Sequence, residues 1–402
     1  MRPCHCYGPR VSTLSEHATW LPNDDQRALL AAALFDDARA VTAWARWTRD
    51  KRPDTPLDAG SERLLPLVAN NLAKLGVPAD AFLSRARDQR LRGRFKGVLK
   101  VHDAGRWVRD LAALGVPTLA LKGLALAIRY YKDFGLRPME DIDLLVRAEH
   151  VPTALVYLAT QGFTPTEALP AACWPPTPGA PNLGTAAVTH GCGFVDGAER
   201  QLDLHWSALS THCGDGADAR FWAHAQALPL AGVSGLAGLA LAPPHELVHV
   251  LTHGLRWNEV ASIRWIPDAA IILSTTPDFD WSLFTDEVAR RGLGFALIPA
   301  LALLAEFGVL VPQDVMAALA KMPVRGIDRL RYEHCAWPWD RPKPSRIIAF
   351  DAWRFCEGLS PAAVVQRLGR YAWFRVAPDG RLGSIPTQLM RKLSRQRSGS
   401  PP

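Results

Sequence analysis

The 402-residue chain has no uncharged apolar run of about 18 residues, the length that a membrane-crossing helix needs. Its first residues, MRPCHCYGPR, have no apolar centre, so no secretion signal is read there. Cysteine is scarce. Seven residues, an odd number with scattered spacing, argue against a disulfide framework and for a reducing compartment. The expected location is therefore the cytoplasm, with no membrane partner. Cys4, His5 and Cys6 either hold a metal or form a frayed start to the chain. An excess of one charge is also in short supply: 46 Lys and Arg against 39 Asp and Glu leave +7, which is mild for this length. That balance fits a site for an anionic ligand. No stretch outside the tail combines a broad basic surface with interleaved aromatics, so nucleic acid is not an expected partner. The one dense run of positive charge, RKLSRQRSGSPP, reads as a disordered tail.

What is present is periodicity of two kinds. QRALLAAALFDDARAVTAWARWTRD, RLLPLVANNLAKLGV and GVLKVHDAGRWVRDLAALGV carry apolar residues at helical spacing. The last two end in a Leu-Gly step, a common helix stop. The period then changes. PTLALKG (Pro117–Gly123) reads as a short buried strand, LALAIRYYKD as a helix, FGLRPMED as a loop, DIDLLV (Asp141–Val146) as a strand, and VPTALVYLATQGF as a helix. Thr164–Leu183, rich in Pro and Gly, reads as a loop. AAVTHGCGFV and RQLDLHW flank Asp196-Gly197 and read as a hairpin. After Pro243 the pattern is helical, with breaks near TTPDFD and WPWDRPKPS.

Alternate residues of a strand share a face. Asp141 and Asp143 are thus expected on one side, with Ile142 and Leu144 toward the core. On the second hairpin strand Asp203 and His205 share a side, opposite Leu202, Leu204 and Trp206. If the two strands are neighbours, three carboxylates converge, which is costly without a cation among them. Mg²⁺, a hard ion that takes oxygen ligands, is the natural occupant, with Mn²⁺ as a substitute.

LALKGLALAIRYYKDFGLRPMEDIDLLV, followed by LDLHW, resembles the nucleotidyltransferase superfamily with the DNA polymerase beta-like fold. It resembles more closely the bacterial group of uncharacterised nucleotidyltransferases. The likeness runs from about Gln26 to about Thr275, with RLLPLVANNL and SIRWIPDAAIIL included. The resemblance implies Gly123 as the turn after the first strand, Asp141 and Asp143 as the metal pair, and Asp203 as the third carboxylate. Lys122-Gly123 stands where the superfamily usually has Gly-Gly or Gly-Ser, and the interval from Gly123 to Asp141 is longer than usual. Both features are usual for the bacterial group, as is an Arg at the position of Arg137.

The resemblance also implies Mg²⁺-dependent transfer of a nucleoside monophosphate from an NTP donor to a small-molecule or protein acceptor, with release of pyrophosphate. Lys122 and Arg137 are candidates for the β- and γ-phosphates; the alternative for each is a salt bridge to a carboxylate such as Glu140 or Asp133. His205 either orients a carboxylate, acts as a base, or is structural. His253 and Asp268 either line the acceptor side or are polar groups of the core. The expected fold is α/β (α+β): a small mixed-sheet nucleotidyltransferase core with N-terminal helices and a C-terminal helical domain. The expected segments are 1–24 poorly ordered, 25–115 helical, 116–240 catalytic, 241–385 C-terminal helical and 386–402 a basic disordered tail.

Two other readings compete. HELVHVLTHG contains H-E-x-x-H, which on a helix places His245 and His249 on one face for zinc, with Glu246 as base. No Glu follows at the usual distance, and Gly254 and His253 do not match the longer zinc motif, so a zinc hydrolase is only an alternative. A non-catalytic nucleotide-binding scaffold is the other; the intact set Asp141, Asp143 and Asp203 argues against it.

Overall fold

The computed structural model describes residues 20–376, apart from 168, 170–172, 175, 177–187, 230–236 and 339–340. The Cys4–His5–Cys6 segment and the basic tail lie outside the described residues. The chain divides into two compact units. One runs up to Asp88 and resumes over Val250–Pro338; the other takes Gln89–His249 and resumes after Pro338.

The first unit is helical. Helices α1 (Asp24–Leu34) and α2 (Ala38–Thr48) occupy a stretch whose apolar stripe reads as continuous. The chain breaks between them because Asp37 accepts the Arg39 backbone N–H and caps α2. Asn23 and Gln26 form a capping box on α1. Helix α3 (Ala59–Lys74) runs into Gly76, whose φ of 73° is the left-handed stop that the Leu-Gly step announces. Trp44 and Trp47 stack at 5.2 Å, and Phe82 meets both edge-on. Helices over Trp265–Ser274, Trp281–Arg291, Gly294–Glu306, Gln313–Lys321 and Gly326–Ala336 belong to the same unit.

The second unit is built on a mixed sheet. It comprises β1 (Leu119–Ala120), β2 (Ile142–Leu145), β3 (Thr164–Pro165), β4 (Gly191–Val195), β5 (Gln201–His205), β6 (Gln226–Pro229) and β7 (Ala237–Ala240). Their order across the sheet is β3-β4-β5-β2-β1-β7-β6. The pairs β2/β5 and β1/β7 are parallel and the others antiparallel. The period-two pattern sorts the faces. Ile142, Leu144, Leu202 and Leu204 enter the main core, with Trp107 and Val108 of α4 (Ala81–Ala113) and Leu155 and Leu158 of a later helix (Val151–Thr160). Leu119, Leu121, Leu145, Phe221 and Leu241 form a smaller cluster on the other face. Each strand is short and fully specified by which face its side chains bury.

Several readings shift in detail. The strand read in PTLALKG shrinks to Leu119–Ala120, because Lys122 already opens helix α5 (Lys122–Leu126). That helix widens into a π-turn over Ala127–Tyr131 and stops at Lys132, whose φ is 55°. Thr164–Pro165, read as loop, instead forms the edge strand β3, where the missing N–H of Pro165 does no harm. The hairpin forms as read, and Asp196 holds its turn by accepting the N–H groups of Ala198 and Arg200.

Phe163 is 2% exposed and meets Trp107 edge-to-face at 5.4 Å. Phe163→Ala leaves a cavity under the sheet, with an expected cost of about 3–5 kcal/mol. It is read as a lowered thermal midpoint; an unchanged melt would contradict this packing.

Candidate active site

The parallel pairing of β2 with β5 sets Asp143 directly beside Asp203, and His205 follows two residues later on the same side. Ligand atoms of Asp143, Asp203 and His205 all lie within 4.8 Å of one another. Asp143 is 3% exposed. Its Oδ1 accepts from Lys122 Nζ at 2.6 Å and lies 3.0 Å from His205 Nε2. A carboxylate accepts only, so this contact assigns the proton to Nε2. His205 Nδ1 is buried with no hydrogen-bond partner among the described residues.

The two carboxylates are held in different states. Burial would raise the Asp143 carboxyl, but the charges and hydrogen bonds of Lys122 and His205 outweigh it and keep the group well below its usual range. Burial, and next the charge on Asp143, push Asp203 above its usual range. Asp141 adds to that negative field. It lies one residue before β2, so the pleat does not fix its side chain, and it stands outside the three-ligand cluster.

Lys122 is the cation of this site and has an unusual backbone. Its φ of 48° is left-handed, a conformation that costs a non-glycine residue roughly 1–2 kcal/mol. The ion pair to Asp143 offsets the strain. The salt bridge read for Lys122 thus goes to Asp143 and not to Glu140 or Asp133; Asp133 pairs with Arg90 at 2.6 Å. Gly123 follows. A Cβ there would come within 2.9 Å of Met139 Cγ and 3.4 Å of Arg137 Nη1, so its bareness lets the 137–139 loop approach the start of α5. Arg137 is buried beside it.

Two sets of glycines shape the site and were not singled out in the sequence. Gly191 and Gly193 stand opposite His205 and Asp203 in the β4/β5 ladder. A Cβ on Gly191 would lie 2.8 Å from His205 Nδ1; one on Gly193 would lie 3.0 Å from Asp203 Oδ1 and 2.6 Å from Thr166 Oγ1. The signal was G-C-G at strand period. The second set lies on α4. A Cβ on Gly97 would collide with Phe134, and one on Gly93 would lie 3.5 Å from Gly135 Cα. Lys100 Nζ donates to the Glu140 carbonyl at 2.6 Å. Arg90, Gly93, Gly97 and Lys100 therefore form one seam that seats the loop leading to Asp141, and G-x-x-x-G at helix spacing was its signal.

HELVH lies on α8 (Pro243–Gly254), after a short helix α7 (Ala219–Ala223). Its residues are occupied otherwise than zinc chemistry needs. Glu246 lies 3.4 Å from Arg129 Nη1 and 3.3 Å from the Tyr130 hydroxyl. The His245 ring packs on Phe221 and His224, with centroids 4.8 and 5.3 Å away. His249 is pushed down to about 3, first by burial and then by the charges on Lys122 and His205. Its imidazole is therefore neutral, and it stands within the field of the carboxylate site. Among the described residues no third ligand atom gathers with these histidines. His253 and Asp268 belong to the first unit, not to the unit that carries the carboxylates.

Two neighbouring carboxylates, one held ionised and one resisting ionisation, suit a divalent cation, and their oxygens suit a hard one. His205 would serve such an ion by fixing Asp143.

Two outcomes follow. Gly193→Ala crowds both Thr166 and Asp203, so divalent-ion affinity, read by calorimetry, falls while the melt stays close to wild type. Lys122→Ala removes the partner of a buried carboxylate and leaves φ strained, with an expected cost on the order of 3 kcal/mol, lessened because Lys122 is one-fifth exposed. Added Mn²⁺ restores more of the melting midpoint in this variant than it adds to wild type; equal effects would show that no ion shares the Lys122 position.

A search of curated proteins finds no match. The family described as uncharacterised nucleotidyltransferase matches residues 59–308, beginning later than the resemblance read in the sequence and reaching further toward the C-terminus. That span is more than half of the chain and includes Lys122, Asp143, Asp203 and the HELVH helix. The chain belongs to the uncharacterised nucleotidyltransferase family.

Proposed function

We propose that the protein transfers a nucleoside monophosphate from an NTP to a hydroxyl, or similar group, of a small molecule or protein. The observation that carries this reading is the register pair Asp143–Asp203 on adjacent parallel strands, with the Lys122 ammonium already on Asp143. Family membership supports it.

Asp143 and Asp203, with Asp141 beside them, are the residues to hold Mg²⁺, or Mn²⁺ in its place. Held there, such an ion would supply positive charge to the triphosphate oxygens and would lower the pKa of the acceptor hydroxyl. His205 donates to Asp143 Oδ1 and keeps that carboxylate in one orientation. Lys122 and Arg137 bind the β- and γ-phosphates, Arg137 from its buried place beside Gly123 and Lys122 by turning from Asp143. The acceptor hydroxyl gives up its proton to water, its oxygen bonds to the α-phosphorus, the bond from the α-phosphorus to the oxygen it shares with the β-phosphorus breaks, and pyrophosphate leaves with that oxygen.

A second reading, nucleotide binding without turnover, is favoured by one observation: Lys122 already supplies Asp143 with a cation at 2.6 Å. The two separate in one experiment. The four NTPs are titrated calorimetrically with Mg²⁺ and with EDTA, and pyrophosphate release is followed for any nucleotide that binds. Transfer predicts Mg²⁺-dependent binding of a preferred nucleotide and pyrophosphate release, both abolished in Asp143→Asn with the fold intact by circular dichroism. Turnover that persists in Asp143→Asn sinks the proposal; binding indifferent to EDTA, with no pyrophosphate from any acceptor pool, favours the second reading.

A further inference from the structure

One face of α4 carries a run of exposed apolar side chains. Leu91 and Phe95 are 65% and 68% exposed, and Val98 and Leu99 are 50% and 51% exposed. At about 100° per residue these four side chains fall in one arc of about 100°, along a single stripe. Arg94 borders the stripe on one side, and Arg92 and Lys96 border it on the other. All three cations are exposed and have no ion pair among the described residues. Asp88 is the one exposed acid between residues 87 and 102.

The helix cannot turn this stripe inward. Its opposite face is the glycine seam, where Gly97 abuts Phe134 and Gly93 faces Gly135, and Val101, Ala104, Trp107 and Val108 continue that face into the core. The exposed stripe is therefore fixed on the outside by packing elsewhere.

We propose that this face of α4 docks on an anionic phospholipid surface. The stripe supplies apolar side chains to the acyl boundary, and the cations on both flanks reach the headgroup phosphates. Other occupants fit less well. A symmetric contact with a second copy would bring like-charged flanks together. Nucleic acid would use the cations, but three of the four apolar side chains are aliphatic and offer bases nothing to stack on. No helix among the described residues is long and apolar enough to cross a membrane, so the contact is peripheral.

The test is co-sedimentation of the full-length protein with phosphatidylcholine vesicles, with and without phosphatidylglycerol. Binding is expected on the anionic vesicles and to weaken with salt. The double variant Phe95→Ser, Leu99→Ser and the triple variant Arg92→Gln, Arg94→Gln, Lys96→Gln should each lower it roughly tenfold or more. Both should melt like wild type, because the altered side chains face solvent. Three results overturn the proposal: equal partitioning to both vesicle types; loss in the charge variant alone, which marks a simple anion patch or, with retention on an RNA matrix, a nucleic-acid surface; and a dimer that the double variant dissociates without any vesicle binding by wild type.

Discussion

A pair of adjacent carboxylates, Asp143 buried and Asp203 half-buried, is the constraint around which the second unit is arranged. Asp143 and Asp203 are neighbours because β2 and β5 run parallel in one register, and the same register sends Ile142, Leu144, Leu202 and Leu204 into the core. The apolar face fixes the pairing, and the pairing forces two like charges together. A slip of one residue would bury the aspartates in the core. The remaining features answer the repulsion: an ammonium on Asp143, an imidazole on the same oxygen, and bare glycines on the neighbouring strand that leave Asp203 and His205 room.

The left-handed Lys122 shows how the cost is distributed. A glycine there would remove the strain and also remove the only ammonium hydrogen-bonded to Asp143 among the described residues. The protein keeps the strained lysine, as expected where the side chain has work to do at a site. The depressed Asp143 carboxyl stabilises the fold at pH values above the ordinary aspartate range. That contribution fades as pH falls toward the folded value. Asp203, raised, acts in the opposite sense: its favourable contribution belongs to the acid side and is lost as pH rises.

Much of this was legible in the sequence because it depends on period. I-D-L and L-D-L-H-W alternate polar with apolar, so the faces of Asp143, Asp203 and His205 follow from strand geometry; Asp141, one residue before β2, is not placed by that period. The hairpin was legible from Asp196-Gly197. Spacing alone could not say what HELVH does. H-E-x-x-H fits a zinc helix as well as an amphipathic helix, and the nearness of Arg129 and Tyr130 to Glu246, with the packing of His245 on Phe221 and His224, separates them. Glycines were harder, since an absent side chain signals only through what would collide with it. Gly93 and Gly97 gain meaning once Phe134 and Gly135 are known to face them. The strand in PTLALKG was overread because Lys122 leaves extended geometry earlier than its apolar neighbours imply.

The π-turn at Ala127–Tyr131 sets a length constraint on the chain. A wide turn of this kind holds one residue more than the α-helix it interrupts. Arg129 and Tyr130 reach Glu246 from within it. Removing one residue would let the helix close to regular pitch with the chain on either side left nearly in place, and the bulge that presents Arg129 and Tyr130 to Glu246 would be gone. The clasp between this turn and α8 is thus encoded in residue count as well as in residue type. In a sequence comparison, a single-residue gap here would signal a lost clasp even where Arg129, Tyr130 and Glu246 all have counterparts.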